Sequence, residues 1–254
     1  MVSEIGLALS GGGVRGVAHL GLIKALEENN IAIKAISGTS AGSIVAAFYA
    51  SGYSVDDILD VILNIKAIKL LRPALSKTGL LKMNNLYKAL EELLPKNDFS
   101  GLSIPVTISA TNIRTGLTEY FDEGDLIGAV CSSSCIPVLF DPFEHNGQLY
   151  IDGGILNNLP AEPLVGKVDC IMGSHCNPID RDFDPRNARL VMERALMLSI
   201  TKNSYQSKSI CDYFFEPKGL EPFKVMDIGQ AKEVYDIGYR QAIEQLEHLG
   251  LTTI

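Results

Sequence analysis

Three short stretches of this 254-residue chain gather residue types that can do chemistry. The first is Gly11, Gly12, Gly13, Val14, Arg15 and Gly16, between an apolar run and a helical pattern. Successive glycines let the backbone turn sharply and aim bare N–H groups at one point, where a following helix N-terminus adds partial positive charge. Such a nest holds a phosphate or a developing oxyanion; without a ligand it is a tight turn. Gly11, Gly13 and Gly16 also satisfy the dinucleotide pattern G-x-G-x-x-G. The next strand, however, ends in Ile36, Ser37 and Gly38, with no carboxylate to hold a ribose. Neither glycine loop is followed by Gly-Lys-Ser/Thr, so a P-loop is excluded as well.

The second stretch, Gly38, Thr39, Ser40, Ala41 and Gly42, has the G-x-S-x-G spacing of a nucleophile elbow. The glycines relieve crowding so that a strained serine can expose its hydroxyl at a helix start. A serine nucleophile needs a base. The chain order of an α/β-hydrolase, Ser then acid then His, would offer His175 or His248. Against that fold, Ser40 follows only the second strand. His19 is spaced with Val17 and Leu20 along a helix, the pattern of a structural histidine. The third stretch supplies a carboxylate: Asp152, Gly153 and Gly154 follow the apolar residues Leu149, Tyr150 and Ile151. Glycines beside an Asp let another backbone approach closely, although Asp-Gly also makes ordinary Asx-turns.

These stretches need elements to position them. An apolar strand over Glu4–Leu9 precedes the first, helical spacing follows from Val14 to the Glu27, Glu28, Asn29, Asn30 stop, and 31–36 is a second strand. A small-residue helix over 43–50 follows the elbow. Strand, helix, strand, helix within fifty residues predicts right-handed crossovers and a largely parallel, doubly covered sheet. Further strands are predicted at 104–110, 117–121, 149–151, 168–173 and 211–215. Helices are predicted at 54–63, 84–94, 123–131, 188–203 and 230–249. With no repeat, low-complexity tract or linker, one domain over 1–254 is expected.

Composition narrows the function classes. The formal net charge of −8 disfavours nucleic acid. No apolar run can span a bilayer, and no signal-peptide pattern precedes the first strand, so a cytoplasmic location is expected. Five cysteines without a C-x-x-C pair, and His19, His145, His175 and His248 without paired spacing, give no structural zinc site; the thiols are read as reduced and mostly buried. Between Asp60 and Glu91 there is no acidic residue, while Lys66, Lys69, Arg72, Lys77, Lys82 and Lys88 interleave with Leu70, Leu71, Leu75, Leu80 and Leu81. That pattern over 66–88 suits peripheral contact with an anionic bilayer; a solvated helical cap is the ordinary alternative.

Taken together, these stretches resemble the patatin-like phospholipase family. Gly11 to Gly16 look like its oxyanion loop, Gly38 to Gly42 like its nucleophile elbow, and Asp152, Gly153 and Gly154 like its catalytic aspartate motif. Ser132 to Pro137 resemble its A-S-x-A-x-P block, with Ser132 and Cys135 standing for alanines and Cys135 adding a thiol. The resemblance includes Asn157, Asn158 and Pro160 and runs from Leu7 to about Leu164. It implies a three-layer α/β/α fold with a mainly parallel central sheet and the elbow after the second strand. A helical cap or acyl-site insertion would occupy about 54–95, and a C-terminal helical part 186–254.

It also implies a Ser40–Asp152 dyad without histidine that hydrolyses acyl esters of phospholipids or lysophospholipids. Amides of Gly11, Gly12 and Gly13, notably the last two, would form the oxyanion hole. Arg15, Gly16, Gly38, Gly42, Gly153, Gly154 and Pro137 would support the loops. No metal or other cofactor is expected. Acyl transfer through the same acyl-enzyme remains open, as does a non-catalytic phosphate- or nucleotide-binding module.

Overall fold

The computed structural model describes residues 2–64, 79–81, 83–179 and 182–252. Its central sheet is organised around Glu4–Leu9 (β1), whose alternation sorts side chains by size. Ile5, Leu7 and Leu9 enter the larger core, whereas Ala8 enters a smaller one and Gly6 lies under Val168. Ala32–Gly38 (β2) pairs with β1 in parallel. The remaining strands are Gly79–Leu81 (β3), Val106–Asn112 (β4), Leu117–Phe121 (β5), Val138–Phe140 (β6), Phe143–His145 (β7), Gln148–Asp152 (β8), Ile171–Ser174 (β9) and Tyr213–Phe215 (β10). The main sheet runs β10-β9-β1-β2-β4-β8-β7, with β5 on the other edge of β4. The first five in that order are parallel, while β5, β8 and β7 are antiparallel additions. β3 and β6 form a separate parallel pair.

The helices are Ala18–Glu28 (α1), Ala41–Ala50 (α2), Val55–Asn64 (α3), Asn84–Leu93 (α4), Leu126–Ser133 (α5), Ala188–Ser207 (α6) and Ala231–His248 (α7). Residues of every described helix except α6 join the larger core on one face of the sheet. The opposite face carries the smaller core of Ala8, Ala35, Leu159, Ala161, Leu164 and Ile171, covered by 155–168 with α6 beyond. The expected three-layer α/β arrangement with a mainly parallel sheet is thus observed, and the elbow does follow the second strand.

Several expectations are refined. Gly13–Val17 is a 3-10 turn, with α1 starting only at Ala18. The three-residue strands β3, β6 and β7 were not foreseen. The 186–254 part is not purely helical: it contributes β10 to the sheet edge, and α7 packs on α1. Within residues 54–95, α3, β3 and α4 are seen, while Lys66, Lys69, Arg72, Lys77 and Lys82 lie outside the described residues. No helix among the described residues is long and apolar enough to cross a membrane.

Candidate active site

The edge of β4 opposite β5 is shared by two strands that meet head to head. β2 runs parallel to β4 and ends with Gly38 beside Ile108; β8 runs antiparallel and ends with Asp152 beside Ala110. Because β5 occupies the other edge over Ile108–Asn112, β2 and β8 must share one edge, their C-terminal ends pointing at each other. This arrangement brings together Ser40 and Asp152, 112 residues apart. Ser40 Oγ donates to Asp152 Oδ2 at 2.6 Å. Both residues are buried, at 5% and 6% exposure, so water barely competes for the contact. Asp152 Oδ1 accepts the Gly154 amide at 2.8 Å. Burial pushes the Asp152 carboxyl up to about 6, against the hydrogen bonds from Ser40 and Gly154 that pull it down.

Ser40 sits at φ 51°, ψ −119°, a region non-glycine residues seldom adopt. Neighbouring bonds over-determine the strain. The Ser40 amide donates to Ser133 Oγ (2.8 Å), and that hydroxyl donates to the Ser109 carbonyl (2.7 Å). Ser43 Oγ and the Ser43 and Ile44 amides converge on the Ser40 carbonyl. The elbow glycines answer to close approach: a Cβ on Gly38 would lie 2.6 Å from the Gly42 carbonyl, and one on Gly42 would lie 2.4 Å from the Leu9 carbonyl oxygen. Gly153 likewise lies against the Ser109 carbonyl, and Gly16 against Ala41, where α2 begins.

The glycine loop borders the same space. β1 and β2 are in register at Leu9 and Gly38, so Gly11 falls beside Ser40. The Gly11 amide, expected among the oxyanion donors, is engaged elsewhere: it donates to Asn158 Oδ1 (3.1 Å) and to the Asn158 carbonyl (3.2 Å). That expectation is corrected. The amides of Gly12 and Gly13 have no acceptor among the described residues, whereas the Val14 amide is taken by the Val225 carbonyl. Arg15 donates to the carbonyls of Phe223 (2.8 Å) and Glu221 (3.1 Å), bracing the segment that carries Val225.

Two cavities open on Ser40. The larger, about 190 Å³, is walled by Ala41, Ile44 and Phe48 of α2, Ile58 and Ile62 of α3, and Leu86, Ala89 and Leu90 of α4. The smaller, about 90 Å³, is bounded by Gly11, Gly12, Gly13, Asp152, Pro137, Asn158 and Asn177, with Leu196, Met197 and Ile200 of α6. Among the described residues neither lining includes Lys or Arg.

The histidines stand apart from the pair. His19 is fully buried, its Nδ1 on Ser174 Oγ (2.8 Å) and its Nε2 on the Ser10 carbonyl (2.9 Å); burial pulls it down to about 4. His175 Nδ1 meets Glu216 Oε1 at 2.9 Å, and His248 closes the last turn of α7. The Cys135 thiol donates to the Cys131 carbonyl, and burial raises its pKa well above the usual thiol value, which disfavours the reactive thiolate. All five cysteines are free. Among the described residues no group of three or more His, Cys, Asp and Glu converges to hold a metal ion.

The sequence did not point to the residues that brace the loops from the C-terminal third. Asn203 Oδ1 accepts the Asn158 amide and its Nδ2 donates to the Gly154 carbonyl, Ser204 Oγ accepts Asn158 Nδ2, and Asn177 Nδ2 donates to the Gly11 carbonyl. Their only signal is position on strand ends and on α6, legible once register is known.

Fold and site together define an α/β protein with a strained serine elbow facing a buried carboxylate at the mouth of an apolar cavity. The chain belongs to the patatin-like phospholipase family, whose model matches residues 7–165. It is 34% identical to an uncharacterized NTE family protein of Mycobacterium tuberculosis, over 64% of this chain and 46% of that protein. It is 27% identical to Lysophospholipase NTE1 of Kluyveromyces lactis, over 96% of this chain and 19% of the relative. The chain thus spans less than half the length of these relatives. Among solved structures, VipD from Legionella pneumophila superposes with a TM-score of 0.55 at 17% identity, covering 97% of this chain and 67% of VipD; at that identity the likeness is one of fold.

Proposed function

We propose that this chain is a serine lipid acyl hydrolase that cleaves carboxylic esters of phospholipids or lysophospholipids. Ser40 attacks the ester carbonyl while Asp152 takes its proton; the leaving alcohol departs with that proton, and water, activated by the same carboxylate, releases the fatty acid. The amides of Gly12 and Gly13 hold the tetrahedral oxyanion, and Arg15, Gly16, Gly38, Gly42, Gly153, Gly154 and Pro137 keep the loops in place. The observation that carries the reading is the 2.6 Å Ser40–Asp152 bond at the mouth of a cavity walled by the apolar faces of three helices. A carboxyl at about 6 is a far better base near neutrality than an ordinary Asp.

The larger cavity suits one acyl chain, and the name of the yeast relative supports lysophospholipid as the first substrate to try. The linings, without Lys or Arg among the described residues, do not favour the phosphate- or nucleotide-binding alternative. We assign lipid-surface contact to the basic, leucine-rich stretch 66–88, in a cytoplasmic setting; cosedimentation with anionic vesicles tests it. The function itself is tested with a fluorophosphonate probe and lysophosphatidylcholine. The probe should modify Ser40, and fatty acid should be released. A chain that takes no label and releases no fatty acid is not this enzyme.

A further inference from the structure

We infer that Asn177 is a positioning residue for the oxyanion hole, acting through the Gly11–Gly12 peptide; the inference rests on the hydrolase reading above. β9 and β1 are parallel, with Ser174 opposite Leu9. Asn177 and Gly12 each lie three residues beyond those strand ends, so register brings them together. Asn177 is 1% exposed, and its Nδ2 donates to the Gly11 carbonyl at 2.5 Å, joined by Cys176 Sγ at 3.3 Å. From the other side Asn158 holds the Gly11 amide. The Gly11 residue is therefore held at both its polar groups.

A trans peptide points its C=O and N–H in opposite directions. Fixing the Gly11 carbonyl toward Asn177 therefore turns the Gly12 N–H away from it. Gly12 lines the cavity shared with Ser40 and Asp152, and no described residue accepts its amide hydrogen bond. Adjacent glycines have many peptide orientations within reach. The Asn177 donor selects one of them.

A second observation separates this role from ordinary packing. With Nδ2 on Gly11, Asn177 Oδ1 is left buried without a hydrogen-bond partner among the described residues. A buried orphan acceptor is unfavourable, so the amide is kept here at a local cost to stability. The donor end gains its value in the transition state, where a correctly aimed amide meets developing charge. The backbone at 177 is itself anchored, since Thr201 Oγ1 of α6 donates to the Asn177 carbonyl at 3.4 Å.

The test compares wild type with N177L, which keeps the shape and removes the donor, and N177D, which sets an acceptor against the Gly11 carbonyl. Turnover of p-nitrophenyl octanoate gives kcat and KM. An ether analogue of lysophosphatidylcholine reports ground-state binding, and an alkyl trifluoromethyl ketone reports transition-state binding. In N177L, kcat and ketone affinity should fall together, by about 10²-fold, the typical loss of one oxyanion donor. KM and ether-lipid affinity should stay within about twofold, since uniform binding is untouched. N177D should lose more activity than N177L. Equal kcat in N177L and wild type overturns the inference. So does a kcat loss matched by an equal loss of ether-lipid affinity, in whichever variant folds. Wild-type labelling at Ser40 separates the two levels: an unlabelled wild type removes the hydrolase reading and this inference with it. A labelled wild type with N177L labelled at the same rate removes the positioning role alone.

Discussion

Ser40 lies between two walls held together by different forces. One is made of strand ends, where Asp152, Gly11, Asn158 and Asn177 are tied by directed bonds of 2.5–3.1 Å. The other is made of helices: Ile44, Phe48, Ile58, Leu86 and Leu90 meet through undirected apolar contact. Directed bonds specify orientation, so a single lost donor or acceptor is felt at once in the chemistry. Apolar packing specifies volume, so the helical wall should decide which acyl chain fits while tolerating exchange of its residues.

The largest effect that separates the walls is expected from Ser40→Ala. It should reduce ester hydrolysis by at least about 10⁴-fold with Tm nearly unchanged, read by fatty acid release and thermal unfolding. Substantial remaining activity would falsify the nucleophile assignment. Asp152→Asn should lower kcat by about 10⁴-fold, by analogy with loss of the carboxylate in a catalytic triad. It should also stabilise the protein at high pH. In the folded chain the carboxyl sits at about 6 against an ordinary 3.8. Between those values the native state keeps a proton that the unfolded chain has released, so stability falls as pH rises through the window. D152N removes that penalty, worth about 3 kcal/mol at pH 8 and nothing below about pH 4. His19, pulled down to about 4, has the opposite sign: its contribution is lost as pH falls from 6.5 toward 4. Acid unfolding should therefore be steeper in D152N than in wild type.

On the helical wall, Ala89→Phe should shorten the cavity. Long-chain p-nitrophenyl esters should lose about 10–200-fold in kcat/KM while butyrate is spared, the scale expected for an apolar pocket. An equal loss for every chain length would move the acyl site elsewhere. The smallest effect is expected from Cys176→Ala, which removes the weaker of the two donors to the Gly11 carbonyl. A loss below about tenfold in kcat with unchanged KM is predicted, because a thiol is a weak donor.

The same division explains what the sequence revealed. The elbow and the Asp-Gly-Gly turn were legible because each needs glycine at fixed places: Gly38 and Gly42 have backbone within reach of any Cβ, and Gly153 has the Ser109 carbonyl. That Ser40 meets Asp152 was legible only through family resemblance. Its physical cause, two strands sharing one edge of β4, depends on pairing across the chain. Gly11 was misread as a donor because glycine spacing places a loop without saying which peptide faces the cavity; that choice belongs to Asn158 and Asn177. The short strands β3, β6 and β7 offered too few residues for alternation to register. β10 was legible as a strand, but its place at the sheet edge followed only from its pairing with β9.

A carboxylate acting alone on Ser40 has one direct readout: the pH dependence of fluorophosphonate labelling at that residue. The wild-type rate should rise with pH through an inflection near 6 and level off above it, as Asp152 ionises. That inflection should vanish with a large fall in rate in D152N and persist unchanged in H175A. An inflection that survives in D152N and disappears in H175A would show that a histidine, not Asp152, is the base.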